Sequence, residues 1–557
     1  MTQNQSKNQT PQSKHWLDKV VDGILKWQEK TGIKQLHVDD MKTPSGRVHT
    51  GALRGVLLHD LVAQVLRERG LEPDSTYVFN DMDPMDGLPA YLDETEFSQH
   101  MGKPLYRIPK PALDKCGIDL SQTSATELAD LENAKNFAEL YAMDFMHAFR
   151  ALGCTQQIVW SHELYESGKM DALIRLALDS VTPLKKIYQD VAKYELPELW
   201  YPFQVICPVC GKVGTTLVTG WDGKEVTFEC QENKVTWAKG CGHKGKISPF
   251  GGNGKLLWKV DWPAHWTAMG VNVEGAGKDH SSAGGSRDMA NAQCEKVFNI
   301  PVPFNIPYEW ILIRGAKMSS SKGVGTSARE FTKLFPPVVG RFLFASRNYA
   351  QVIDFDPNTM AIPDLFDEYD QGARIAWGLE AGDQRLARAF ALSQVGKAQQ
   401  KSFLPRFRDV AMWMQHPELN LEEEFAKIKG EALNDLEKAL LEERVRYARI
   451  WVQNYAPAEY QLQPKAVMPA EAKILSEEQK AFLKELEILL TEKRDLAPAD
   501  LQQAIFDLSK NSIGPRKAFE SIYLLLLGKK AGPRAGWLLK SVDNNLLDQR
   551  FKGIANL

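Results

Sequence analysis

Apolar positions recur with helical spacing along "WLDKVVDGILKWQEKTG" (16–32), at residues 16, 17, 20, 21, 24, 25 and 27, and Gly32 marks the stop. "KQLHVDD" then alternates toward a strand, and the breaker-rich loop "TPSGRVHTG" (43–51) follows it. "ALRGVLLHDLVAQVLRERG" returns to helical spacing with Gly70 at its end. "TYVFN" (76–80) reads as a second strand, "NAKNFAELYAMDFMHAFRALG" as a long helix and "QIVWS" (157–161) as a third strand. Strand and helix alternating at these spacings predict parallel pairing with right-handed crossovers. The expected fold is therefore a Rossmann-type, doubly wound α/β domain, whose ligands bind beyond the carboxyl ends of the strands. The 43–51 loop lies there, and so do Asp81, Asp83 and Asp86.

The texture changes twice more. From about 200 to 250 it turns to Gly, Cys, Val and Thr, which predicts a small β-rich insertion. Helix and strand alternation returns with "LWKVDWPAHWTAMG" and ends on the apolar "YEWILIRG". From about 357 onward, Leu-, Ala- and Glu-rich helical stretches run to the end. The expected organisation is a disordered tail over 1–15, an α/β domain over 16–355 that contains the insertion at 200–250, and an all-α domain over 356–557.

At 557 residues the chain is too long for a single ordinary core. Its 43% hydrophobic and 25% charged residues suit a soluble globular protein. No stretch approaches eighteen consecutive apolar residues, and the polar N-terminus has no secretory core, so no membrane role and a cytoplasmic location are expected. The net charge of −3 argues against indiscriminate nucleic-acid binding. Residues 505–557, however, carry nine Lys/Arg against four Asp/Glu, a local balance of +5 that suits phosphate contact.

Seven cysteines without a secretion signal do not read as a disulfide framework. Cys207, Cys210, Cys230 and Cys241 form C-x2-C-x19-C-x10-C, a pattern for a structural Zn2+ held by four thiolates, with His243 as an alternative fourth ligand. Cys116, Cys154 and Cys294 sit in apolar sequence and read as core.

Two short segments carry candidate chemistry. In "TPSGRVHTGA", Pro44, Ser45 and Gly46 shape a turn, and Gly51 and Ala52 open a helix whose free N–H groups suit phosphate. His49 stands just ahead of them. In "ILIRGAKMSSSKGVG" (311–325), Lys317, Met318, Ser319, Ser320, Ser321 and Lys322 offer ammonium charge and hydroxyls on a Gly-flanked turn. Each segment alone is an ordinary loop. One follows the first strand of the α/β domain and the other its last, and together "HTGA" and "KMSSS" resemble the two signatures of the class I aminoacyl-tRNA synthetases.

The resemblance implies that both segments grip ATP, with Mg2+, while an amino-acid carboxylate attacks the α-phosphorus. It points to His49, Lys317, Ser319 and Lys322 as the catalytic group. Pro44, Ser45, Gly46, Gly51, Ala52, Met318, Ser320 and Ser321 are the expected ATP contacts, together with Asp279 and His280 of "EGAGKDHSSAGGSRD" (274–288). Two positions depart from the pattern. Ala52 stands where a second histidine is usual, and Ser320 where a lysine is usual, which leaves Lys322 to reach the phosphates.

Physics alone leaves the amino acid open. A cationic substrate needs carboxylates, available as Asp39, Asp40, Asp81, Asp83, Asp86 and Glu274, whereas glutamate needs an arginine, available as Arg47, Arg54 and Arg287. "TPSGRVHTG", the cysteine insertion, "GKDHSS", "KMSSSKG" and "LLLLGKKAGPRAGWLL" (524–539) resemble the lysyl-tRNA synthetases of class I. That likeness implies lysine and tRNA as substrates, Asp39 and Thr43 at the amino acid, and a helical anticodon-binding domain. The aromatics Trp262 and Trp266 of "DWPAHWTAMG" and the carboxylate of Glu274 read from the sequence itself as further parts of the amino-acid pocket. "DDM" (39–41) departs from the family pattern at Met41. The likeness implies no obligate protein partner. The alternatives are a glutamyl- or glutaminyl-type synthetase of the same class, a small-substrate nucleotidyltransferase, or a catalytically inactive zinc-bearing RNA-binding protein.

Overall fold

The computed structural model describes residues 14–556 apart from 122, 316–325, 463 and 494. The expected tail falls almost wholly outside the described residues, and so does the whole "KMSSS" segment.

The first helix, α1 (Trp16–Thr31), ends where Gly32 takes a left-handed conformation. Strand β1 (His37–Lys42), helix α2 (Leu53–Glu68), strand β2 (Asp74–Phe79), helix α3 (Phe137–Ala151) and strand β3 (Gln157–Trp160) follow. β1 pairs in parallel with β2, and β2 with β3. On its other side β1 meets Val273 through a parallel bridge, and Val273 meets Phe304 in the same way. These two outer segments continue as the parallel pair Ala276–Gly277 with Pro307–Tyr308. The spatial order is therefore 3-2-1-4-5, and the chain reverses its direction of travel across the sheet between β1 and the Val273 segment. That reversal is the topological switch point, where a crevice opens in folds of this kind. α2 is buried over most of its circumference, from Leu53 to Leu66, as expected of a crossover helix packed into such a fold.

The β-rich segment comprises β4 (Phe203–Val205), β5 (Thr216–Trp221), β6 (Val226–Cys230), β7 (Lys244–Ile247) and β8 (Gly254–Leu256). β5, β6 and β7 form an antiparallel sheet, and β4 pairs antiparallel with β8. Helix α4 (Trp258–Met269) follows directly and carries Pro263 inside it. Cys116, Cys154 and Cys294 are buried.

The chain divides into two compact units, Met1–Asp356 with Gln371–Gln399, and Pro357–Asp370 with Gln400–Leu557. Residues 371–399 thus group with the first unit, although their helical texture resembles that of the second. Among the described residues no strand follows Ile353–Phe355. In the second unit, helices between Glu477 and Gly553 enclose a core of Phe482, Leu486, Ile505, Leu526, Leu538 and Phe551. The buried Arg444 guanidinium is paired there with Asp370 at 2.5 Å.

Candidate active site

A cavity of about 390 Å³ opens at the switch point. One wall is the carboxyl end of β1 and the start of α2, with Asp40, Met41, Lys42, Thr43, His49, Gly51 and Ala52. The opposite wall is Glu274 to Gly277 with Asp279 and His280, and Trp258 and Trp262 of α4 add an aromatic side. Arg54, Asn80, Tyr308, Glu309, Trp310 and Ile311 complete it.

Gly55 of α2 is required here. A Cβ on it would lie 2.5 Å from Asp40 Oδ2 and 2.9 Å from Tyr308 Oη, so any larger residue would displace both groups. Gly46 in the preceding turn has φ of 138°, a conformation closed to other residues without strain.

Three buried carboxylates crowd this part of the sheet. Burial, reinforced by the charge of Glu274, raises Asp39 and Asp40 well above the usual carboxylate range. Burial also pushes Glu274 up to about 7, against the opposing influence of Arg287 and of the Trp266 and Trp262 indoles. Trp262 Nε1 donates to Glu274 at 2.9 Å, and Trp266 Nε1 donates to its other oxygen. Arg287 does not neutralise this group directly. Its guanidinium donates to the carbonyls of Glu274 and Pro303 at 2.7 and 2.6 Å, and to the Asn291 side chain at 3.1 Å. His59, 3.7 Å from Asp40, supplies no charge either, because burial lowers it to about 4. Its Nε2 accepts from the Gly275 N–H at 2.7 Å, which assigns the proton to Nδ1 facing the Gly55 carbonyl. Lys42 and Arg54 are the Lys/Arg side chains of the cavity wall among the described residues, and burial lowers the pKa of both.

The first signature segment and the chain just past the second are in contact. His49 pairs with Ser327, the Thr50 N–H donates to the Thr326 carbonyl at 3.0 Å, and the Thr50 hydroxyl donates to the same carbonyl at 2.9 Å. Ile311, shortly before the second signature, lines the cavity. Lys317, Met318, Ser319, Ser320, Ser321 and Lys322 themselves lie outside the described residues.

Of the residues singled out in sequence, His49, Gly51, Ala52, Thr43, Glu274, Asp279 and His280 line the cavity. Pro44, Ser45 and Gly46 form the turn that leads to it. Two expectations need correction. Asp39 points away from the cavity; it is 0% exposed and accepts from the Thr76 hydroxyl, while its neighbour Asp40 faces inward. Of the two tryptophans expected to wall the cavity, Trp262 does so, with Trp258, whereas Trp266, one turn later on α4, is buried and donates to Glu274. The sequence reading did not single out Lys42, Asn80, Tyr308 or Trp310. Of the three arginines weighed for an acidic substrate, Arg47 turns to Tyr91 and Glu330, and Arg54 lines the cavity but donates to the carbonyl of Asn348 at 2.6 Å. Arg287 is committed as described above.

The four cysteine sulfurs lie within 4.8 Å of one another, with Cys207 to Cys241 and Cys210 to Cys230 both at 3.6 Å. Tetrahedral Zn–S bonds of about 2.3 Å require sulfurs about 3.8 Å apart, so the quartet fits that ion. His243 is not in the quartet; its ring packs edge-on to Phe228.

A helix start, a Gly-rich crossover and a polar cavity at the switch point of a 3-2-1-4-5 sheet define a nucleotide-binding α/β protein. The family model of class I tRNA synthetases (K) matches residues 14–396, and the chain belongs to that family. The lysine–tRNA ligase of Methanosarcina barkeri (strain Fusaro) is 31% identical over 568 aligned residues, covering 97% of this chain and 98% of its own. Those of Archaeoglobus fulgidus and Pyrococcus horikoshii are 30% and 29% identical, each covering 97% of this chain and 99% of its own. Among the described residues no helix is long and apolar enough to cross a membrane.

Proposed function

We propose that this chain attaches L-lysine to tRNA(Lys) with ATP, through a lysyl-adenylate, in the cytoplasm. The observation that carries the amino acid is the buried acidic wall of Asp40 and Glu274, with Asp39 behind it. Such a wall favours an ammonium group and repels the side chain of glutamate. The lysine–tRNA ligases named above support the same reading.

In the first step an oxygen of the lysine carboxylate bonds to the α-phosphorus of ATP, and the bond to the leaving pyrophosphate breaks. In the second, a ribose hydroxyl at the tRNA 3′ end attacks the adenylate carbonyl, loses its proton and expels AMP. Neither step needs a protein nucleophile, so the residues act by positioning and charge stabilisation. His49 and the Gly51 N–H meet the phosphates ahead of α2, held by the Pro44–Ser45–Gly46 turn, while the Ala52 N–H donates to the His49 carbonyl at 3.0 Å. Lys317, Ser319 and Lys322, with Met318, Ser320 and Ser321, are assigned to the phosphates from the second signature of the family, and Lys322 serves for the lysine absent at 320. Mg2+ accompanies ATP and adds positive charge at its phosphates. Asp279 and His280 take the ribose and the adenylate. Thr43 and Glu274 hold the amino acid, with Asp40 in the part expected of Asp39 and Trp262 as the aromatic wall.

The helical unit Pro357–Asp370 with Gln400–Leu557 reads the anticodon, and its loop "GKKAGPR" (528–534) contacts phosphate. A Zn2+ on Cys207, Cys210, Cys230 and Cys241 has no open position and serves as scaffold. The test is charging of total tRNA with each of the twenty amino acids. Lysine is expected to charge alone. Charging by glutamate and not lysine would overturn the specificity, and no charging by any amino acid would overturn the activity.

A further inference from the structure

Lys255 lies on β8, in the β-rich segment, 172 positions from its partner Asp83. It is 2% exposed, and its ammonium bonds Asp83 Oδ1 and stands 3.2 Å from Asp261 Oδ2. Each carboxylate leads to a different wall of the cavity. Asp83 Oδ2 accepts from the Thr43 hydroxyl at 2.7 Å and the Asn80 amide at 3.0 Å, and both of those residues line the β1–β2 side. Asp261 sits in the first turn of α4, between Trp258 and Trp262 of the aromatic side. Asp261 is itself pinned by the Tyr165 hydroxyl and by His265 at 3.2 Å, and Tyr165 Oη accepts from the Leu256 N–H next to Lys255.

We propose that Lys255 is a positioning residue that fixes the separation of the two cavity walls, and so sets the fit of the amino acid without touching it. A single buried cation between two carboxylates that belong to different elements cannot relax toward one without uncovering the other. Both walls are therefore held at one distance by the chain itself, which preorganises the cavity for the ligand. The β-rich segment gains a function by this route. β8 is paired with β4, which runs into Cys207, and the next turn donates from Val213 to the Gly102 carbonyl at 2.7 Å. Gly102 in turn pairs with Met85, two residues after Asp83. The cysteine-bearing turn thus buttresses the Asp83 loop from one side while Lys255 grips it from the other.

This inference rests on the proposed lysine activation, and its test keeps the two apart. Wild-type protein with tRNA is assayed for lysine-dependent ATP–pyrophosphate exchange; absence of exchange there would sink the functional reading itself. Given wild-type exchange, Lys255→Met is expected to raise the KM for lysine about tenfold or more while kcat at saturating lysine falls less than threefold. Lys255→Arg is expected to recover most of the loss. Should Lys255→Met not fold, Asp83→Asn removes the charge that Lys255 grips while its amide oxygen can still accept from Thr43 and Asn80, and a several-fold rise in lysine KM is expected. A variant that lowers the melting temperature but leaves lysine KM at the wild-type value would overturn the proposal, as would a fall in kcat with KM unchanged.

Discussion

Asp83 and Asp261 share a buried lysine supplied by the chain, whereas Asp39, Asp40 and Glu274 crowd around a cavity whose cations are committed elsewhere or only partly offset them. Burial alone would raise Asp261, but His265 and Lys255 outweigh it and hold its carboxyl well below the usual range. Burial wins at the other site, lifting Asp39, Asp40 and Glu274 together. The desolvation is the same in kind; the difference is whether a cation sits between the carboxylates. The first group is a finished structural joint, and under the proposed function the second is the same chemistry offered to a ligand ammonium. Sites of this sort trade stability for function, because strain among like charges is relieved only on binding.

The largest expected difference is between Asp40→Asn and Asp261→Asn. A raised carboxyl binds more protons in the folded than in the unfolded protein, so above its unfolded pKa the Asp40 charge opposes folding increasingly as pH rises. Asp40→Asn is therefore expected to leave the ligand-free protein as stable as wild type at pH 8, or more so, in thermal unfolding. Its kcat/KM for lysine should fall roughly a hundredfold, on the order of 3 kcal/mol, the cost of removing one partner of a buried charge pair. Asp261→Asn should do the reverse in the first measurement, losing about 3 kcal/mol of stability because Lys255 keeps only one counter-ion. Two variants that lose stability alike would erase the distinction between joint and site.

The sequence made the doubly wound sheet legible because hydrophobic periods of 2 and 3.6 residues alternate cleanly between Trp16 and Trp160. The quartet of cysteines was legible from spacing alone. Which of two adjacent residues faces a ligand was not. Asp39 and Asp40 point to opposite faces of β1, and in a sheet covered on both faces the alternation carries no sign. Trp262 and Trp266 lie one turn apart on the same face of α4, both donating to Glu274, and only the depth of the helix in the fold puts the first at the cavity and the second beneath it. The Lys255 joint was invisible for another reason. Its three members belong to different elements, and no local pattern marks a lysine that will be buried.

pH separates the two groups at a smaller magnitude. Ammonium binding prefers ionised carboxylates, so lysine affinity is fully present above the raised pKa and is lost as pH falls through it. With Glu274 at about 7, the lysine KM is expected to rise about tenfold between pH 8 and pH 6, one proton being taken up per site. Asp261 contributes no such dependence in that window, since its lowered pKa keeps it ionised throughout. Initial rates of pyrophosphate exchange across this range, with ATP saturating, measure the slope. A KM that is flat from pH 8 to 6 would mean that the acidic wall does not face the ammonium group.

Metal removal should give the smallest effect and the most informative one. β4 and β8 keep their own core after loss of a Zn2+, because Phe203, Val205 and Leu256 are buried. Lys255 therefore retains its two carboxylates, and what loosens is the turn from Cys207 to Val213 that buttresses the Asp83 loop through Gly102. Chelation, or Cys210→Ser with metal content measured on the purified protein, is expected to lower the melting temperature of the first unit. It should raise lysine KM only about threefold, a coupling on the order of 0.5–1 kcal/mol. The pH slope should not move, since Asp40 and Glu274 stand on β1 and on the Val273 segment, outside the β-rich segment. If chelation instead abolished the pH slope, the acidic wall and the lysine joint would have to be one coupled structure and not two.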